Sequence, residues 1–202
     1  MLRILLTTIL VLLISMSPVR AEQRGPKIRV GLVVNQFSVT LESKGKIKLD
    51  SNTGKDVTLN PGKHFLSLKQ GELYADQTKI GGSVVSVLAT NAKLPLMVNQ
   101  KNYRGGITAV VNSNKKTLNV VNTLPVEDYL YGVIAKEVLP LWPDEAIKAQ
   151  TVAARSFALY ALNNHDYPNY DIRANDMGQV YGGLAAEHVN TNKLVDATCG
   201  VA

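Results

Sequence analysis

The chain has 202 residues, 46% of them hydrophobic, a formal net charge of +6 and one cysteine, Cys199. One cysteine excludes an internal disulfide, so the core has to be held by packing. No basic cluster is interleaved with aromatic residues, which argues against nucleic acid as a partner, and no apolar run after the first 21 residues approaches the 18 that a membrane span needs.

Met1 to Ala21 reads as a secretory signal peptide. Arg3 supplies the positive start, Ile4 to Met16 is an apolar run, and Val19-Arg20-Ala21 offers small or aliphatic residues for cleavage. An uncleaved membrane anchor is the alternative; Pro18 and the polar Glu22-Gln23-Arg24 favour cleavage. Removal of Arg3 and Arg20 with this segment takes the formal charge from +6 to +4. The remainder is expected to be exported, without a stable membrane span, and large enough for one sizeable core or two small ones.

Residues 27–122 carry strand patterns. Ile28, Val30, Leu32 and Val34 alternate at period two, and short apolar runs follow at 47–49, 57–59, 65–68 and 84–88. Turn-forming words such as Asn60-Pro61-Gly62 and Gly81-Gly82 separate them. Residues 107–111 and 117–121, joined through Asn112-Ser113-Asn114, form the clearest hairpin. The expectation is an α+β fold: a small antiparallel β unit followed by a helical segment. The expected division is a β-rich region at 27–98 and a second domain at 99–202.

After Val121 the period changes to that of helices. The first is expected from Pro125 to Val138, with Pro125 suited to the first helical position and Glu127 and Asp128 to the positive end of the dipole. Val126, Tyr129, Leu130, Val133 and Ile134 share one face, and Asp128, Gly132, Ala135 and Lys136 lie opposite. Glu137 falls in the middle of the apolar face, in the last turn before Pro140. A carboxylate there is costly unless it is neutral or paired. That is the setting of a general acid, and equally that of a glutamate held by a nearby cation or capping a neighbouring helix. A second helix is expected from Pro143 to about Leu162, its body supported by six alanines. Ala146, Ala149, Ala153, Phe157 and Tyr160 fall on one stripe, expected to pack, while Arg155 falls on the side of Asp144, Lys148 and Thr151 and by spacing reads as a solvated surface residue. Residues 163–183 show little periodicity and read as a loop region, in which Tyr181 could stack on a ligand or be a half-buried core tyrosine.

Words at fixed spacing run through this half of the chain: Tyr103-Arg104-Gly105, Val121-Asn122, Leu124-Pro125-Val126-Glu127-Asp128-Tyr129-Leu130, Gly132-Val133, Glu137, Pro140, Trp142-Pro143, Glu145-Ala146, Lys148-Ala149-Gln150, Val152-Ala153-Ala154-Arg155 and Gln179-Val180-Tyr181-Gly182-Gly183. In these the chain resembles the stage II sporulation protein D family, which includes the amidase-enhancer proteins of bacterial cell walls. The resemblance implies that Glu137 is the catalytic residue of a peptidoglycan lytic transglycosylase and that Arg155, Tyr181 and Gln179 are substrate-site residues. It also implies an extracytoplasmic, cell-wall-associated protein whose partner is the peptidoglycan glycan strand. Family members continue with further strands beyond the position of Thr198. Such strands are expected to be missing here, leaving Leu194, Val195 and Val201 short of packing partners.

Glycosidic bonds are usually cut by two carboxylates. A lytic transglycosylase can work with one, which protonates the leaving oxygen and then serves as base for the sugar's own 6-hydroxyl; proximity of that hydroxyl replaces the second group. Asp128, Asp176 and Glu187 are the other acids available, each in an ordinary helix-start, loop or surface setting. His64, His165 and His188 lack the paired spacing of a zinc site, and no cofactor motif is present, so neither metal nor cofactor is expected. The competing reading is a non-catalytic wall-binding module that stimulates an amidase.

Overall fold

The structure, a computed structural model, describes residues 24–53, 55–114, 116–164, 166–175 and 177–202. The expected signal segment, His165 and Asp176 lie outside the described residues. The chain runs through β1 (Lys27–Gln36), β2 (Ser38–Ser43), β3 (Ile47–Ser51), β4 (Val57–Leu59), β5 (Gly62–Lys69), β6 (Glu72–Ala75), β7 (Thr78–Lys79), β8 (Val84–Ala89), β9 (Leu96–Val98) and β10 (Lys101–Asn102). Then follow β11 (Gly106–Val111), β12 (Leu118–Pro125), α1 (Val126–Glu137), α2 (Asp144–Asn164), β13 (Ile172–Arg173), a 3-10 turn at Gly183–Ala186 and α3 (Val189–Ala197). The fold is α+β.

Two sheets form the β part. One has the order β13-β1-β12-β11-β8-β3-β4, the other β10-β9-β2-β5-β6-β7. All pairings are antiparallel except the short parallel pair of β1 with β13. The hairpin expected at 107–121 is present as β11–β12, with Ala109 opposite Val120. The expected division at residues 98/99 runs across the larger sheet: β1, β3, β4 and β8 lie on one side of it in sequence, β11, β12 and β13 on the other.

Two apolar clusters make the core. Leu41, Ile47, Leu49, Leu66, Leu73 and Val85 belong to the one built by the sheets. Ile28, Val30, Leu124, Leu130, Ile134 and Ile147 belong to the one that the helices build against β1 and β12. Leu32 and Tyr103 touch both. β1 serves both clusters because its register against β12 shifts between Gly31 and Val33. A one-residue shift exchanges the faces of a strand. Ile28 and Val30 are therefore buried in the helical cluster, and Val33, not the expected Leu32 and Val34, is the buried residue of the sheet cluster.

The helix boundaries fall within two residues of expectation, but the packed face of α2 does not. Its buried residues are Ile147, Thr151, Ala154, Arg155 and Ala158, whereas Ala146, Ala149, Ala153, Phe157 and Tyr160 are exposed. Alanine weighs little in either direction on a helical wheel, so two stripes were nearly equivalent. Ile147 and a buried ion pair at Arg155 decide between them. α3 and β13 had no sequence expectation. Leu194 and Val195, expected to lack partners, are buried on α3 in the helical cluster; Val201 is exposed.

Candidate active site

α1 is buried around most of its circumference from Val126 to Ile134 and emerges only in its last turn, at Ala135, Lys136 and Glu137. Glu137 is consequently half-buried rather than enclosed: the apolar stripe reaches the surface just where the glutamate stands. Val138 turns into extended backbone and ends the helix. One carboxylate oxygen, Oε2, accepts a hydrogen bond of 2.7 Å from Gln150 Nε2 on α2. Its partner is thus a neutral amide and not a cation. Oε1 has no hydrogen-bond partner among the described residues, which leaves it open to a ligand. The following loop exposes Leu139, Leu141 and Trp142 beside it in sequence.

Behind Glu137 lies a tyrosine cluster. Tyr129 is fully buried, and its hydroxyl donates to Gln179 Oε1 at 3.3 Å. Gln179 Nε2 in turn donates to the carbonyl of Ala154 on α2. Burial above all, then the Glu137 and Tyr181 charges, hold the Tyr129 phenol well above its ordinary pKa, so it remains a neutral donor. The Tyr181 ring packs 5.0 Å from Tyr129 and 5.6 Å from Tyr103, centroid to centroid, and its hydroxyl donates to Asn122 Oδ1 at 3.1 Å. Burial pushes this phenol up as well. At 4% exposure Tyr181 offers no open face for stacking. Gly132 makes that packing possible, because a Cβ there would stand 2.5 Å from Tyr181 Cε2.

Arg155 is 2% exposed, which overturns its reading as a surface residue. Its guanidinium makes a two-pronged pair with Glu127, Nε to Oε1 and Nη2 to Oε2 both at 2.8 Å. It also donates to the carbonyls of Val201 and Val195. Glu127 is ten residues from Glu137 along α1, about 15 Å at the helical rise. Glu137 and Arg155 therefore belong to opposite ends of α1, and Gln179 and Tyr181 lie between them in the packing. Among the other acids, Asp128 pairs with Arg24, and Glu187 with Arg104 and Asn192.

Residues 114–202 match the family described as stage II sporulation protein. They belong to that family. A protein of Brachyspira hyodysenteriae whose function is not assigned is 42% identical over 83 residues, 41% of this chain and 23% of its own length. The amidase enhancer of Bacillus subtilis is 32% identical over 141 residues, 69% of this chain and 19% of its own length. The chain thus spans about a fifth of the length of the curated relatives it matches. No solved structure matches it.

In this stage II sporulation protein domain the matching words prove largely architectural. Gly105 has a positive φ of 75°, and a Cβ there would stand 2.4 Å from the Thr123 carbonyl oxygen. Arg104 clamps Glu187 with bonds of 2.6 and 2.8 Å. Gln150 is among the matching residues, but no sequence signal gives it a role, since its contact with Glu137 depends on the packing of α2 on α1. Among the described residues no group of three or more His, Cys, Asp and Glu could hold a metal ion, and no helix is long and apolar enough to cross a membrane. A cleft of about 950 Å³ is not lined by Glu137; it lies among Asn35, Asn112, Asn119 and residues 167–173.

Proposed function

We propose that the chain is an exported, cell-wall-associated lytic transglycosylase that cleaves peptidoglycan glycan strands, denuded of stem peptides, with Glu137 as the single acid/base. The observation that carries this reading is the setting of Glu137: a half-buried carboxylate at the exposed end of an otherwise buried helix, anchored through one oxygen by Gln150 and open at the other. Such a carboxylate can protonate a glycosidic oxygen and then remove the proton of the sugar's 6-hydroxyl. Gln150 fixes its orientation. Tyr129 and Gln179 act as positioning residues that tie α1 to α2, Tyr181 packs α1 against Tyr103 and Asn122, and Arg155 ties α2 to α1 through Glu127. The family of residues 114–202 supports a role at the cell wall.

The test is incubation of the protein with denuded glycan strands and mass spectrometry for anhydro-muramyl products. Glu137→Gln should abolish these products and leave the fold intact; retained turnover would refute the assignment. A second reading, stimulation of a cell-wall amidase without catalysis, is favoured by the name of the Bacillus relative, amidase enhancer, and by the exposure of Leu141, Trp142, Phe157 and Tyr160. Faster amidase hydrolysis in the presence of the Glu137→Gln protein, without anhydro products from either form, would select it.

A further inference from the structure

The cleft of about 950 Å³ lies where the end of β1, the β11–β12 hairpin and the loop at 167–173 meet. That volume is near the top of the roughly 300–1,000 Å³ range of small-molecule sites, and it leaves room for more than one sugar ring. Its lining is mainly uncharged and hydrogen-bonding, and its amides are fixed by one another. Asn112 Nδ2 donates to Asn35 Oδ1 and Thr117 Oγ1, both at 2.8 Å, and Asn169 Nδ2 donates to Asn112 Oδ1 at 3.2 Å. Asn119 is 4% exposed, and its Oδ1 accepts from the Asn35 backbone N–H and from Asn112. Asn119 lines the cleft, and its Nδ2 makes no hydrogen bond among the described residues and is not sealed from solvent, so a ligand acceptor or water can meet it.

Tyr167 stacks on Tyr170 with centroids 4.5 Å apart, and the Arg173 guanidinium lies 5.1 Å from the Tyr167 ring. This gives the cleft one rigid aromatic wall beside a row of amides. An apolar ligand would leave Asn119 Nδ2 unpaired. An anion would find Arg173, but that cation already donates to the Tyr170 hydroxyl, and the carboxylate of Glu72 also lines the cleft. Hydroxyl and acetamido groups, which both donate and accept, suit fixed amides.

We infer that this cleft binds a neutral oligosaccharide of N-acetylhexosamine units, as a second glycan site separate from Glu137. The inference deepens the glycan-strand reading and rests on it for the identity of the ligand. A site of this kind would hold a strand while Glu137 acts on another part of it.

The test is titration of the full chain with chitotetraose, followed by backbone and side-chain amide NMR and by calorimetry, with inorganic phosphate as the anionic control. Saturable binding is expected, with the largest shifts at Asn119, Asn169 and Tyr167. Asn169→Ala and Tyr167→Ala should each weaken it by about fivefold or more, the equivalent of one lost contact. Tyr167→Phe should restore it. No saturable binding, shifts confined to the surroundings of Glu137 and Gln150, or displacement by phosphate would overturn the inference. Parent-like affinity in the cleft variants, shown folded by circular dichroism, would defeat the cleft even if Glu137 proves catalytic. A Glu137→Gln protein that still cleaves would defeat the catalytic assignment and leave the binding result standing.

Discussion

Replacing Arg155 with methionine separates a structural role from a substrate role. The change keeps much of the side-chain volume but strands Glu127, which is 5% exposed, without its partner. It also removes the donors to the Val195 and Val201 carbonyls that tie α2 to the end of α3. Breaking a buried pair from one side costs about 3–5 kcal/mol, because an uncompensated charge remains. In a chain of this size each kcal/mol lowers the unfolding midpoint by about 2–4 °C. Arg155→Met should therefore lower it by about 6–20 °C, measured by calorimetry. Glu127→Gln combined with Arg155→Met should recover a large part of the loss, since the stranded charge is then gone. A midpoint within about 2 °C of the parent, together with lost glycan binding, would refute the reasoning and make Arg155 a substrate contact.

Gln150→Leu should leave the midpoint nearly unchanged and lower the cleavage rate, by up to on the order of 100-fold if the carboxylate swings by about 1 Å; an unaffected rate would mean that Glu137 needs no anchor. Gly132→Ala should destabilise by about 1–3 kcal/mol, because the new methyl meets the Tyr181 ring at 2.5 Å; denaturant midpoints measure this, and a neutral result would show that the ring shifts freely. Tyr181→Phe leaves Asn122 Oδ1 without its donor and should cost about 1–3 kcal/mol, read in the same way. His64 stands between two acceptors, Asp76 Oδ2 at 2.7 Å and the Asn60 carbonyl at 2.8 Å. Burial lowers its pKa, but these acceptors outweigh that and raise it above 6.5, while the same pair holds Asp76 below 3.8. A raised histidine stabilises fully below its unfolded value and loses that contribution as pH rises through its folded value; a lowered carboxylate loses its contribution as pH falls through its folded value. The excess stability of the parent over His64→Ala should thus be greatest between about pH 4 and 6.5 and decline above it; equal denaturation midpoints at pH 5.5 and 9 in that comparison would count against the pair.

Local chemistry was enough to read both long helices, the β11–β12 hairpin and several strands, because caps, prolines and the change from period two to 3.6 act over a few residues. It also singled out Glu137, since a carboxylate interrupting an apolar stripe is visible in one dimension. Four things were decided only by tertiary structure. The stripe of α1 leaves the core at Glu137 because the helix ends at the surface, so the glutamate is half-buried and hydrogen-bonded rather than enclosed. The buried side of α2 was decided by the Glu127–Arg155 pair, whose members are 28 residues apart and whose charges each argue for solvent until they meet. α3 and β13 carry too few apolar residues to be read alone, and they form because β1 and the helical cluster offer them an edge and a floor. The asparagine cleft assembles residues from 35 to 169; side chains so distant in the chain meet only when the sheets and loops are in place.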